Sequence, residues 1–243
     1  MRWISLATRN MKETWRDPLS LGLGAAMPCA MIGLFASLGR SAPVPVFRPA
    51  ALVPAMAVFS FAFLIMFSSM LLAKDRSSGL FERLRATPLR PADFAAAYVL
   101  PYLPFALLQV AACYATGALL GARPGAGAAA SLLALVPMAA GSTGIGLVLG
   151  ALCTENQIAG LGSALVSAIG FFGGGWFDLG AAGGFFAAVG RFFPYARGVD
   201  ASRTLYAGGR IVDALPGIGI AWAFAILALG AGISCIRSRA RPR

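Results

Sequence analysis

Uncharged apolar runs alternate along this chain with short polar breaks. At 1.5 Å of rise per residue, about 20 helical residues cross a hydrocarbon core of roughly 30 Å. Runs at about residues 19–39, 51–73, 94–121, 128–152, 158–177 and 214–236 meet that requirement. The pattern predicts an all-α polytopic membrane protein with six transmembrane helices in a single transmembrane domain, residues 1–243.

Residues 1–18 follow a different pattern. Trp3, Ile4, Ala7, Met11 and Trp15 share one helical face, and Arg2, Ser5, Arg9, Lys12 and Arg16 share the opposite one. Tryptophans opposite arginines place such a helix in the plane of the interface, with Trp3, Met11, Trp15, Arg16 and Asp17 as its anchors. Asp17 and Pro18 then turn the chain into the bilayer. Pro28 bends the first run, while Pro101 and Pro104 kink the third by removing backbone donors. In the fourth run Gly146 and Gly150, four residues apart, form a small-residue face suited to close helix packing.

The fifth run loosens at Gly173-Gly174-Gly175, and the apolar stretch 179–190 that follows is too short to cross. It reads as a re-entrant or interfacial piece within an outer region, 178–213.

The stretch 74–93, KDRSSGLFERLRATPLRPAD, separates the second and third runs. Gly79 to Ala86 has the makings of two helical turns, with Leu80 and Leu84 on one face, Phe81 beside them, and Glu82, Arg83 and Arg85 around the rest. Pro88 and Pro91 end that helix, and Asp93 suits the N-terminus of the next. On physical grounds alone this is either a shaped amphipathic knob at the membrane edge or an ordinary solvated loop.

Composition fits the membrane assignment: 58% hydrophobic residues, 12% charged, and a mean hydropathy of +0.77. The net charge of +11 lies mainly beside the apolar runs. Headgroups and membrane orientation account for it, and nothing resembles the basic and aromatic interleaving of a nucleic-acid reader. The six-span topology places thirteen Lys and Arg on the side of the termini and seven on the other, so both termini are expected in the cytoplasm.

Little in the chain points to chemistry of its own. There is no histidine; Cys29, Cys113, Cys153 and Cys235 lack metal-ligand spacing and read as small buried hydrophobes. Lys12 and Lys74, the only lysines, are preceded by Met11 and Ala73, so the Gly-Lys-Ser/Thr of a phosphate-binding loop is absent. No carboxylate sits mid-span, which argues against a proton-coupled carrier. Intramembrane polarity is confined to groups such as Ser68, Ser69, Gln109, Ser142, Thr143, Ser163 and Ser167, read first as helix-helix hydrogen-bonding groups. The chain is expected to bind no cofactor or metal, to have no catalytic residues, and to take its energy from elsewhere.

The interfacial helix ending in Arg16-Asp17-Pro18, the six spans, and the loop with Gly79, Phe81, Glu82, Leu84, Thr87 and Pro88 in order resemble the type-2 ATP-binding-cassette (ABC) permeases. These are the membrane subunits of drug, lipid and polysaccharide exporters. The late segment FFPYARGVDASRTLYAGG is similar to the family's pattern at Pro194, Asp200, Arg203 and Gly208, with Asp200 and Arg203 spaced to pair on one helical turn. The resemblance implies that 74–93 is a coupling helix seated in a separate ATPase subunit that holds ATP and Mg. Leu80, Phe81 and Leu84 would be its apolar contacts, and Glu82, Arg83 and Arg85 its charged rim. It further implies a second permease copy, as a homodimer or heterodimer, and an outer gate in the glycine- and aromatic-rich stretch 171–193.

Two other classes compete with an exporter permease. A membrane-embedded lipid enzyme is disfavoured by the missing histidine and scarce lysine, and a secondary carrier by the lack of intramembrane acids. The uncharged interior favours a hydrophobic or amphipathic cargo, with a drug or antibiotic ahead of a lipid-linked glycan. Abundant Ala, Gly and Arg beside scarce Lys fit a GC-rich bacterial source, hence a bacterial inner membrane.

Overall fold

The computed structural model describes residues 2–41, 44–80, 90–176 and 183–240, and every regular element among them is helical. The amphipathic N-terminus forms α1, Arg2–Trp15. Its successor α2, Pro18–Ser41, starts at a helix cap in which the Ser20 amide donates to Asp17 Oδ1 at 3.1 Å. A short 3-10 turn, Pro45–Phe47, leads to α3, Pro49–Phe59, and α4, Phe61–Ser77, which together make one long apolar helix broken at Ser60. The third run is likewise split, into α5, Pro91–Val99, and α6, Tyr102–Leu119, with the break at Pro101. The fourth splits into α7, Ala128–Ala134, and α8, Val136–Leu152.

Among the described residues, five helices are long and apolar enough to cross a membrane: Pro18–Ser41, Pro49–Ser77, Ala92–Leu119, Ala128–Leu152 and Ile211–Ser238. The chain is an all-α, multi-pass membrane protein. The fifth apolar run falls in α9, Glu155–Phe172, whose 18 residues open on the polar turn Glu155-Asn156-Gln157. A capping box holds that turn: Gln157 N donates to Thr154 Oγ1, and Thr154 N donates to Gln157 Oε1.

The short stretch expected at 179–190 is described only from 183 onward, where α10, Gly184–Phe192, forms a single short helix with Phe185 and Phe192 exposed. The charged segment beyond it, within the expected outer region, forms the helix α11, Pro194–Tyr206. Its charges interrupt a buried stripe of Tyr195, Val199, Ser202 and Tyr206 at helical spacing, and that stripe decides its conformation. The last helix is α12, Ile211–Ala240.

The α3–α4 helix is the centre of the bundle. Its apolar window is 78% buried, against 22% for α2 and for α12 at the periphery. Helix α8 packs between α4 and α12 on two glycine faces. A Cβ at Gly146 would lie 1.9 Å from Ser68 Oγ, and one at Gly150 would lie 2.7 Å from the Ser69 carbonyl. On the other face a Cβ at Gly144 would lie 2.8 Å from the Ala228 backbone, so both contacts depend on the missing side chain.

At two of the prolines, a carbonyl left without its usual helical donor is served by a side chain from another helix. Pro28 has no N–H for the Gly24 carbonyl, and Gln109 Nε2 donates to it at 2.8 Å. Pro101 has none for the Ala97 carbonyl, which accepts from Asn10 Nδ2 at 3.1 Å. In an apolar surrounding such an orphan is costly, so each proline creates a polar fastening between helices. The other intramembrane hydroxyls mostly turn back on their own helices: Ser68, Ser142 and Thr143 each donate to a carbonyl one turn earlier. Ser142 also bonds the Tyr195 hydroxyl at 2.8 Å, joining α8 to α11.

Candidate coupling site at the polar end of the bundle

The C-terminal turn of α4 gathers four other elements. Asp75, which the sequence places among water-exposed loop residues, is 1% exposed because α4 continues to Ser77. Its Oδ2 accepts from Arg9 Nη1 of α1 at 2.5 Å and from the Tyr98 hydroxyl of α5 at 2.6 Å. A carboxylate that deep is stable only when paired and hydrogen-bonded, and both conditions hold here. The bond to Asp75 is also the main reason the Arg9 guanidinium is pushed up from its ordinary pKa.

Lys74 and Arg9 converge on Glu13, at 2.9 Å and 2.6 Å, and tie the same turn to the second half of α1. Arg76 reaches the other way, donating through Nη1 to the Ala151 carbonyl and through Nη2 to that of Cys153, the carbonyls left open where α8 ends. Ser77 Oγ donates to Glu155 at the start of α9 at 2.8 Å. Consecutive residues of one helical turn thus hold α1, α5, α8 and α9.

Gly79 follows with φ of 73°, a left-handed conformation that favours glycine, and Leu80 is helical and half-buried. The remaining expected loop residues, Phe81, Glu82, Arg83, Leu84, Arg85, Thr87 and Pro88, lie outside the described residues. The chain resumes at Arg90, and Pro91 and Asp93 occupy the first turn of α5, as their chemistry predicts.

Of the interfacial anchors, Trp15, Arg16 and Asp17 are exposed, while Trp3 and Met11 are half-buried. Asp17, capping α2, is held below the ordinary carboxylate pKa chiefly by hydrogen bonds from Ser20. The late signature residues stand elsewhere in the bundle. Pro194 opens α11; Arg203 donates through Nε to the Ala51 carbonyl at 2.8 Å and through Nη2 to that of Gly174 at 2.9 Å. Asp200 lies 3.8 Å from Arg197. Gly208 turns the chain with φ of 85°, closely backed by Gly125, whose amide donates to the Tyr206 carbonyl.

The sequence profile of the ABC-2 type transporters matches residues 1–206, taking in α1, the 74–93 loop and all of α11. The chain belongs to that family. Among curated proteins, none matches it. As an ABC-2 type transporter it is the transmembrane component of an ABC transporter, a class that in general works with an ATPase subunit. The match stops two residues short of Gly208.

Four residues of the site carry no motif: Arg9, Asn10, Asp75 and Tyr98. A signal for Asn10 exists, since it stands four residues after Leu6 and seven after Trp3, on the apolar side of α1. Asp75 and Tyr98 meet only through the tertiary fold. Among the described residues, no three His, Cys, Asp or Glu side chains converge as metal ligands would.

Proposed function

We propose that this ABC-2 transmembrane component is the permease of a bacterial exporter, moving a hydrophobic or amphipathic substrate, a drug or antibiotic, out of the cytoplasm or inner leaflet. ATP is hydrolysed with Mg on a separate ATPase subunit, and a second permease copy completes the path. Six spans, with α9 as the fifth, put both termini in the cytoplasm of a bacterial inner membrane, in keeping with the excess of Lys and Arg on that side. The 74–93 loop is the coupling element that the ATPase seats, with Gly79, Leu80, Phe81, Glu82, Arg83, Leu84, Arg85, Thr87 and Pro88 as its contacts, and 178–213 contribute the outer gate.

The observation that carries this reading is the turn Lys74–Asp75–Arg76–Ser77. A push delivered to the following loop meets a rigid base bonded to α1, α5, α8 and α9, so it moves the bundle rather than bending a free loop. The large uncharged interior supports an apolar cargo, and a lipid-linked glycan is the second reading, supported by the amphipathic edge around α1.

Co-purification from native membranes tests the proposal. A stoichiometric ATPase should accompany the tagged chain, and Phe81→Ala or Glu82→Lys should leave the chain inserted while separating ATP hydrolysis from transport. Normal transport by both variants rules out the coupling-helix assignment. No bound ATPase in several mild detergents returns weight to a carrier or a lipid enzyme.

A further inference from the structure

A cavity of about 490 Å³ opens between the end of α1, the start of α2 and the polar half of α4. Small-molecule sites occupy roughly 300–1,000 Å³, so this one has room for a headgroup-sized ligand. Its floor is apolar, built from Leu21, Phe67, Met70 and Leu71. Its rim carries four charges of balanced sign: Arg16 and Lys74 against Glu13 and Asp17.

These charges are not equally engaged. Glu13 already holds Lys74 and Arg9, and Asp17 caps α2. Arg16 is exposed and forms no salt bridge among the described residues. Thr14 Oγ1, also on the wall, is buried beside the Tyr102 hydroxyl. A guanidinium without a carboxylate partner at the mouth of such a cavity suits an anionic group, and a phosphate above all.

The surroundings say what kind of ligand. Trp15 and Leu19, the chain neighbours of the lining residues Arg16 and Ser20, are exposed, and so is Met70 of the floor, so the apolar floor runs on into the lipid-facing surface. An occupant therefore needs an anionic centre, a cationic donor close to it, and an apolar tail leading to the bilayer. We propose that this cavity binds one zwitterionic phospholipid bearing a primary ammonium, as in phosphatidylethanolamine. Its phosphate lies at Arg16 and Lys74, its ammonium at Glu13 and Asp17, and its acyl chains along Leu21, Phe67 and Met70. A purely anionic lipid would leave the two carboxylates facing negative charge, and a choline headgroup has no N–H to give them. The bound lipid fastens α1 to α2 and α4 directly beneath the Lys74–Ser77 turn. The site requires only that the chain sits in a membrane and goes beyond the export reading.

The full-length chain in phosphatidylcholine nanodiscs, doped with phosphatidylethanolamine or with the anionic phosphatidylglycerol, provides the test, with native mass spectrometry counting lipids kept on release. The wild type should keep about one phosphatidylethanolamine per chain in preference to either other lipid. Arg16→Gln should lower that retention about tenfold, the loss expected for one charged hydrogen bond, while Arg16→Lys retains part of it. Asp17→Asn, which keeps a good helix cap, should shift the preference toward phosphatidylglycerol. A wild type that keeps all three lipids equally, or prefers phosphatidylglycerol, overturns the proposal. So does unchanged selectivity in Arg16→Gln at wild-type helix content.

Discussion

Arg9 and Asp75, 66 residues apart in sequence, meet at 2.5 Å between Nη1 and Oδ2. The carboxylate is buried while the guanidinium is 39% exposed, so the pair sits where an interfacial helix touches the membrane bundle. Removing one member of a wholly buried ion pair costs several kcal/mol, and partial exposure of Arg9 reduces that figure. Asp75→Ala should therefore cost about 1–3 kcal/mol. Tyr98→Phe, which deletes one hydroxyl donor to the same oxygen, should cost about 1 kcal/mol. Thermal unfolding in detergent reads both, and an unchanged midpoint for Asp75→Ala contradicts the assignment of this pair as the fastening of α1.

The Gln109 side chain gives a sharper test because its reason for being there is a missing atom elsewhere. It donates to the Gly24 carbonyl that Pro28 cannot serve. Gln109→Leu should destabilise by about 1–3 kcal/mol in the wild-type background, the cost of one buried unsatisfied carbonyl. Pro28→Ala restores a helical N–H to Gly24, so the same Gln109→Leu change should then cost distinctly less. A double-mutant cycle measures the difference, and strict additivity of the two changes contradicts the explanation.

The α4–α8 contact depends on size alone. Gly146→Ala places a methyl group where Ser68 Oγ already stands, 1.9 Å away, and should cost about 1–3 kcal/mol of unfolding free energy. Gly160→Ala in α9 is the control: nothing lies within 4 Å of its Cβ position, and a helix gains roughly 0.5–1 kcal/mol from the replacement. Opposite shifts of the unfolding midpoint are expected from the same chemical change. Matching shifts would mean that helix propensity, and not packing, governs both sites.

These cases show what the sequence could and could not reveal. The membrane helices were legible because hydrocarbon admits few alternatives to an apolar helix, and the glycine face of α8 because close packing demands small residues at helical spacing. The break at Pro101 follows from local chemistry too, while the split of the fourth run at Leu135 was not foreseen. Helix α11 was harder, since Arg197, Asp200 and Arg203 disguise a stripe whose burial is decided by α3, α7 and α12. The meeting of Arg9, Asp75 and Tyr98 was not legible at all. Each looks like an ordinary interfacial residue until three helices bring them together, and an acid next to Lys74 reads as solvated when the length of α4 is unknown.

Asp17 supplies a prediction in pH. Its carboxylate accepts from the Ser20 amide at the start of α2, and hydrogen bonding lowers its pKa below the ordinary 3.8. A group whose folded pKa is depressed contributes stability that is complete above its unfolded value and lost as pH falls through the folded one. The advantage of the wild type over Asp17→Asn, which retains the capping oxygen without the charge, should hold steady from neutral pH down to about 5. It should then close below 3.8 as the carboxylate takes up its proton. The group is exposed, so the gap is small, and its sign and pH window are what matter. Thermal midpoints of the two proteins across this range decide it. A gap that widens on acidification would mean that Asp17 is strained by its neighbours rather than held by the helix it caps.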